Sequence, residues 1–159
     1  DRGREIGIDV FWGLELTFNG PVVNDFLVYG LDESFLIDNP KLSSLDLHSF
    51  WQMTKDLDIL IIQAHPFRPY GEAAPHEYLD GVEVYNGNPR QDSRNHLALQ
   101  YAEKHHLIQS SGSDAHLYED IARGGLLFPE RIETMKDIIN LLRAGEARIV
   151  SPESLVGSR

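Results

Sequence analysis

Cysteine is absent from this sequence, and basic residues and long apolar runs are scarce. Without cysteine the chain has no disulfide, thiolate metal site or cysteine nucleophile, so any metal must be held by His, Asp or Glu. The 14 Lys and Arg residues face 25 Asp and Glu residues, and a net charge of −11 argues against extensive binding to a nucleic-acid backbone. The longest apolar runs, such as residues 59–62, are far too short to span a bilayer.

The rest of the composition is that of an ordinary globular domain. With 159 residues, 42% apolar and 25% charged, we predict one α/β domain over residues 1–159. A small anionic substrate is still compatible with the acidic charge if cations or metals line one cleft. The lack of cysteine is consistent with a cytoplasmic location. The sequence starts at Asp1 without an initiator methionine or a signal-peptide pattern, so we expect it to begin partway through a longer protein.

Strand and helix patterns alternate along most of the chain. Two neighbouring stretches rich in β-branched and aromatic residues, 8–18 and 24–31, predict a hairpin with a turn at 19–21. Further strands are predicted at 57–64, 80–85, 107–109, 124–128 and 147–150. Helices are predicted at 43–55, at 92–106, and from Pro129 to Gly145. Because strands and helices alternate from residue 43 onward, we predict a largely parallel α/β sheet or barrel.

Acidic, amide and imidazole side chains follow the ends of predicted strands. His65, Asn86 and the Asp114/His116 pair each come directly after a buried strand, and Glu15 lies between two leucines in the first strand. Because the carboxyl ends of parallel strands share one edge, we expect these groups to converge there. Glu15, His65, Asp114 and His116 therefore form a candidate ligand set for zinc, manganese or iron.

Each of these side chains also has a simpler interpretation. His65 alone fits a core histidine before a proline turn, and Glu15 fits an outward-facing strand acid. Asp114 and His116 fit a turn with one solvated carboxylate and an incidental histidine. Arg68, in a loop stiffened by two prolines, fits either a phosphate partner or a solvated surface arginine. The remaining histidines are predicted to be structural or solvated: His48, His76, His96, His105 and His106.

Four motifs, taken together, resemble those of the polymerase-and-histidinol-phosphatase (PHP) domain family. They occur in the family's order and are residues 13–17 (GLELT), 63–68 (QAHPFR), 81–87 (GVEVYNG) and 111–116 (SGSDAH). The resemblance implies part of a distorted (β/α)7 barrel with two or three divalent metals at its C-terminal rim, and phosphoester hydrolysis by metal-activated water. It implies that Glu15 bridges metals, that His65, Asp114 and His116 are further ligands, and that Arg68 meets the substrate phosphate. Asp114, His116 and Arg68 are the catalytic candidates, and Arg68 and Asn86 are the substrate-binding candidates.

The resemblance is incomplete toward the N-terminus. The family opens with a His-x-His strand and a further Asp or His, and this sequence supplies neither before residue 13. The four candidate ligands suffice for one four-coordinate site but not for a trinuclear cluster. We therefore expect either a fragment or a shortened relative, with an open barrel edge that favours self-association. Two hypotheses follow: a metal-dependent phosphoesterase acting on a small phosphorylated substrate such as a nucleotide, or a non-catalytic metal- or ligand-binding module.

Overall fold

The computed structural model describes residues 2–18, 24–152 and 154. The strands are β1 (Leu14–Thr17), β2 (Asp25–Tyr29), β3 (Leu60–Gln63), β4 (Gly81–Asn86), β5 (Ile108–Gly112), β6 (Gly125–Leu127) and β7 (Arg148–Val150). The helices are α1 (Arg2–Ile6), α2 (Glu33–Asp38), α3 (Leu47–Thr54), α4 (Asn95–His105) and α5 (Met135–Arg143). Short 3-10 turns cover Leu42–Ser44, His76–Tyr78 and Tyr118–Asp120.

The main sheet has five strands in the order β1-β2-β3-β4-β5. Strand β2 runs antiparallel to both of its neighbours, whereas β3, β4 and β5 are parallel. It follows that β1, β3, β4 and β5 all point the same way. Their carboxyl ends lie at one edge of the sheet, together with the beginning of β2.

The predicted (β/α)7 barrel was wrong. The five strands form an open mixed sheet with β1 and β5 at its edges, and β6 pairs with β7 in a separate antiparallel sheet. A βα barrel needs a helical crossover after every strand. Here β1 and β2 form a hairpin, and the connection from β3 to β4 contains only a 3-10 turn. Among the described residues, only α4 joins two parallel neighbours, β4 and β5, as a βα barrel would require.

Most predicted helices and strands are present, but they are shorter than predicted. The first hairpin is confirmed, although residues 8–13 form no strand and the predicted turn at 19–21 lies outside the described residues. The helix predicted to start at Pro129 instead begins at Met135. Thr134 caps it, because its hydroxyl accepts the Asp137 N–H at 3.2 Å while the Asp137 carboxylate accepts the Thr134 N–H at 2.8 Å.

Both faces of the sheet are packed. On one face, Val28, Ile61 and Val82 share a core with Phe50 from α3 and Ala102 from α4. On the other face, Leu60 and Ile62 of β3 pack against Ile139 and Leu142 of α5. This arrangement explains why β3 is buried along its whole length, and it leaves the carboxyl edge of the sheet for polar groups. Within the part of the chain that the structure describes, no helix has the length and apolarity needed to cross a bilayer.

Candidate metal and phosphate site

Five of the six predicted site residues line one cavity at the carboxyl edge of the sheet, and the sixth, Asn86, lies outside the lining and accepts a hydrogen bond from Arg68. The cavity has a volume of about 250 Å³, and its lining consists of Glu15, Thr17, Asp25, His65, Arg68, Asp114 and His116. Glu15 comes from β1, His65 follows β3, and the Asp114/His116 loop follows β5, so strand direction brings them together. The structure thus brings all four predicted ligands to one place, and their roles as ligands stay predictions.

Three of the cavity side chains form a cluster suited to a cation. The Nε2 atom of His65 lies 4.0 Å from Glu15 Oε1 and 3.8 Å from Asp25 Oδ2. One ligand atom from each of the three residues lies within 4.8 Å of the other two. Two carboxylates and one imidazole are the donor types that zinc, manganese and iron accept, so this set fits a divalent metal.

Asp25 is the member of this cluster that the sequence reasoning missed. Asp25 stands at the beginning of β2, where no ligand was expected, and it reaches the same edge because β2 is antiparallel to β1. Thr17 is its partner across the hairpin, and the Thr17 hydroxyl donates a 2.5 Å hydrogen bond to Asp25 Oδ1. A carboxylate opening the second strand of a hairpin, close to Glu15 in the first, was the available signal.

The electrostatics of the cluster favour a cation. Burial raises the pKa of Glu15, and the neighbouring carboxylates Asp25 and Asp114 raise it further. Burial also lowers the pKa of His65, and the Arg68 charge adds to this effect. His65 is therefore held as the neutral imidazole, the form that binds metals. A cation among these three groups would relieve the repulsion between the carboxylates.

Arg68 and Asp114 form an ion pair in the same cavity. Arg68 Nη2 donates to the Asp114 carboxylate and, at 3.0 Å, to Asn86 Oδ1, while its Nε donates to the Ser93 hydroxyl at 3.4 Å. Although burial raises the pKa of Asp114, the hydrogen bond and charge of Arg68 outweigh it and hold that pKa below its usual value. Arg68 is thus a fixed, largely buried cation beside the cluster. The simpler prediction of a solvated surface arginine was wrong.

A second arginine–aspartate pair shapes the loop that carries His116. The buried Asp120 carboxylate accepts the backbone N–H groups of His116 at 2.9 Å and Leu117 at 2.8 Å. Arg90 binds the same carboxylate through two hydrogen bonds of 2.6 Å. The His116 side chain is exposed, and its Nδ1 lies 2.9 Å from the carbonyl oxygen of Asp114. The Arg90–Asp120 pair therefore positions His116 without lining the cavity.

Glu83 contacts both the cation cluster, through His65, and the residue that binds Arg68, Asn86. Its carboxylate is buried in β4, and Oε2 accepts the backbone N–H of His65 at 3.0 Å and the side-chain amide of Asn86 at 2.9 Å. His65 has a φ of +30°, a left-handed conformation that a non-glycine residue adopts only when its surroundings hold it there. Burial raises the pKa of Glu83 to about 7. Glu83 therefore supports both His65 and the Asn86 contact to Arg68.

The other histidines lie away from this cavity. The rings of His76 and His105 stack with centroids 4.1 Å apart, and the His48 ring lies 5.1 Å from that of Tyr78. None of the five histidines predicted to be structural or solvated contributes to the cavity lining.

Comparison with known proteins supports a relationship to PHP proteins. Residues 92–147 match a family model described as PHP-associated, which confirms the resemblance to the PHP family. The uncharacterized protein MJ0417 of Methanocaldococcus jannaschii is 28% identical over 129 residues, covering 70% of this chain and 54% of that protein. The chain thus spans about half the length of this curated relative.

A solved structure shares the fold. The crystal structure of PsfC from Pseudomonas syringae PB-5123 superposes with a TM-score of 0.69 at 18% identity. The match covers 96% of this chain and 65% of PsfC. At that level of identity the likeness concerns the fold alone.

Proposed function

We propose that this site belongs to a metal-dependent phosphoesterase of the phosphatase or phosphodiesterase type. The observation that carries the proposal is the meeting of Glu15, Asp25 and His65 beside a fixed arginine in one cavity. Two carboxylates and a neutral imidazole hold a divalent ion, and an arginine beside them provides charge for a phosphate. Zinc, manganese and iron are the cations that this donor set suits.

Separate residues bind the metal and the substrate in this proposal. Glu15, Asp25 and His65 hold the ion, which when bound lowers the pKa of a coordinated water and neutralises phosphoryl oxygens. Arg68 meets the substrate phosphate, and Asn86 keeps the guanidinium in place through its 3.0 Å hydrogen bond. His116 is exposed at the mouth of the cavity, where its imidazole is suited to exchange a proton with the leaving group.

The negative charge of the cavity limits the range of possible substrates. Three carboxylates face one guanidinium there, so without a cation the site repels phosphate. With a divalent ion bound, a small phosphorylated molecule or a nucleotide end is accommodated, whereas the net charge of −11 disfavours a long nucleic-acid backbone. The substrate we propose is therefore a small phosphoester.

The direct test is hydrolysis by the full-length protein that contains these residues. We expect turnover of p-nitrophenyl phosphate or bis(p-nitrophenyl) phosphate in manganese or zinc buffer, and loss of turnover in chelator. Asp114→Ala is expected to abolish turnover because it releases Arg68 from its fixed position. Arg131→Gln removes a surface arginine–aspartate pair and is the matched control. Unchanged turnover in Asp114→Ala would contradict the proposal.

The alternative is a non-catalytic metal- or ligand-binding module. The observation that favours it is the small number of ligands, because three converging donors among the described residues can hold a cation without supporting the multinuclear chemistry that the family resemblance implies. The two functions are separated by one pair of measurements on the same sample. Metal binding that depends on His65 together with no turnover of either phosphoester would favour the module.

A further inference from the structure

Asp114 was predicted to bind a metal, but in the structure it pairs with an arginine. We propose that the Arg68 guanidinium takes the place of a second metal ion in this site, so that Asp114 binds Arg68 and not a metal. This inference rests on the proposed function, because it assumes that Glu15, Asp25 and His65 hold one divalent ion. It differs from the multinuclear site implied by the family resemblance.

The first support is the way in which Arg68 is held. Its guanidinium donates to Asn86 Oδ1, to the Ser93 hydroxyl and to the Asp114 carboxylate. Asn86 is itself fixed, because its amide donates to Glu83 and its Oδ1 accepts the backbone N–H of Asn88 at 3.1 Å. The Arg68 side chain is 19% exposed and that of Asp114 is 16% exposed. A largely buried arginine with three hydrogen-bond partners is held in one position, so its charge is as fixed as that of a bound metal ion.

The second support is the charge of the cavity. The carboxylates of Glu15, Asp25 and Asp114 with the Arg68 guanidinium give a formal charge of −2, which one divalent ion balances. A second divalent ion would have to bind with Arg68 already occupying the Asp114 carboxylate. Without Arg68 the same cavity has a formal charge of −3 and a free carboxylate. A vacated Asp114 would then have an imidazole close by, because His116 Nδ1 lies 3.5 Å from Asp114 Oδ1.

The third support is the separation of the two groups of ligands. Among residues 2–18, 24–152 and 154, Glu15, Asp25 and His65 form the one group of three or more ligand atoms that are close enough to share an ion. Asp114 and His116 line the same cavity without joining that group. The structure therefore contains one complete cluster and one carboxylate–imidazole pair whose carboxylate is already neutralised.

The experiment counts metal in the full-length protein. Chelator-stripped protein is titrated with Mn²⁺ by calorimetry, and bound manganese is counted by elemental analysis after gel filtration. The Arg68→Gln protein is expected to bind one more equivalent of Mn²⁺ than the wild-type protein, because the Asp114 carboxylate is then free. Asp114→Asn alone is expected to leave the wild-type count unchanged, and Asp114→Asn added to Arg68→Gln is expected to remove the extra equivalent. Arg131→Gln, which breaks the surface pair with Asp9, is the matched control and keeps the wild-type count.

Two further variants test whether the positive charge of Arg68 sets the metal count and whether the proposed metal site exists. Arg68→Lys keeps a cation beside Asp114 and is expected to keep the wild-type count, so a gain there would contradict the inference. A loss of one equivalent in Asp114→Asn alone, or no gain in Arg68→Gln, would also overturn it. His65→Ala is expected to lose one equivalent in every background. If His65→Ala loses none, the proposed metal site itself fails, and that result is distinguishable from failure at Arg68.

Discussion

Glu83 places a titratable carboxylate in the interior, and the cost of ionising it should be measurable. The side chain lies in β4 with 3% of its surface exposed, and burial raises its pKa from 4.5 to about 7. Each unit of pKa shift corresponds to about 1.4 kcal/mol, so ionised Glu83 costs the folded state about 3 kcal/mol. Two hydrogen-bond donors, the His65 backbone N–H and the Asn86 amide, already offset part of the burial.

The sign of the effect follows from proton binding. Below pH 4.5 the carboxyl is protonated in both the folded and the unfolded chain, and its ionisation has no effect on stability. Between pH 4.5 and about 7 the folded chain keeps a proton that the unfolded chain releases, so the free energy of unfolding falls as pH rises. Above pH 7 the cost is constant. Glu83→Gln, which has no charge to bury, lacks this dependence.

We therefore expect Glu83→Gln to gain stability relative to wild type as pH rises. The difference between the two free energies of unfolding should change by about 3 kcal/mol between pH 4.5 and pH 7.5. Urea denaturation in the presence of chelator, followed by tryptophan fluorescence, measures it without a cation near the site. Glu103→Gln, at an exposed position of α4, controls for the substitution itself. A difference between wild type and Glu83→Gln that stays constant with pH would refute the reasoning.

Three further predictions concern the framework around the site. Phe50→Ala removes a fully buried ring from between the sheet and α3 and is expected to cost roughly 3–5 kcal/mol in urea denaturation; a loss below about 1 kcal/mol would contradict this packing. Thr134→Ala removes the cap of α5 and should cost about 1 kcal/mol, whereas Thr134→Ser should retain most of the stability. Asp120→Asn should lower the melting temperature at pH 7. Because the Arg90 hydrogen bond holds the pKa of Asp120 below 3.8, this loss of melting temperature should shrink as pH falls below 3.8. A loss of melting temperature that does not change with pH would contradict this account of the pair.

Local sequence patterns determined the elements and the general position of the site. Alternating and helical periodicities depend on neighbours along the chain, and they located the first hairpin, the buried β3 and the helix α4. The rule that ligand groups follow the carboxyl ends of strands led to His65, Asp114 and His116, which the structure brings into one cavity. Glu15 joins them because β1 points in the same direction as β3.

Tertiary structure alone decided the direction of the strands and the partners of the charged side chains. Periodicity does not encode which strands become neighbours, so the antiparallel pairing of β2 with β3, the open sheet and the arrival of Asp25 at the site were missed. The pairing of Arg68 with Asp114 joins residues 46 positions apart in the sequence, and that of Arg90 with Asp120 joins residues 30 apart. Such contacts form only once the sheet has brought distant loops to the same edge, because charge attraction in water acts over short distances.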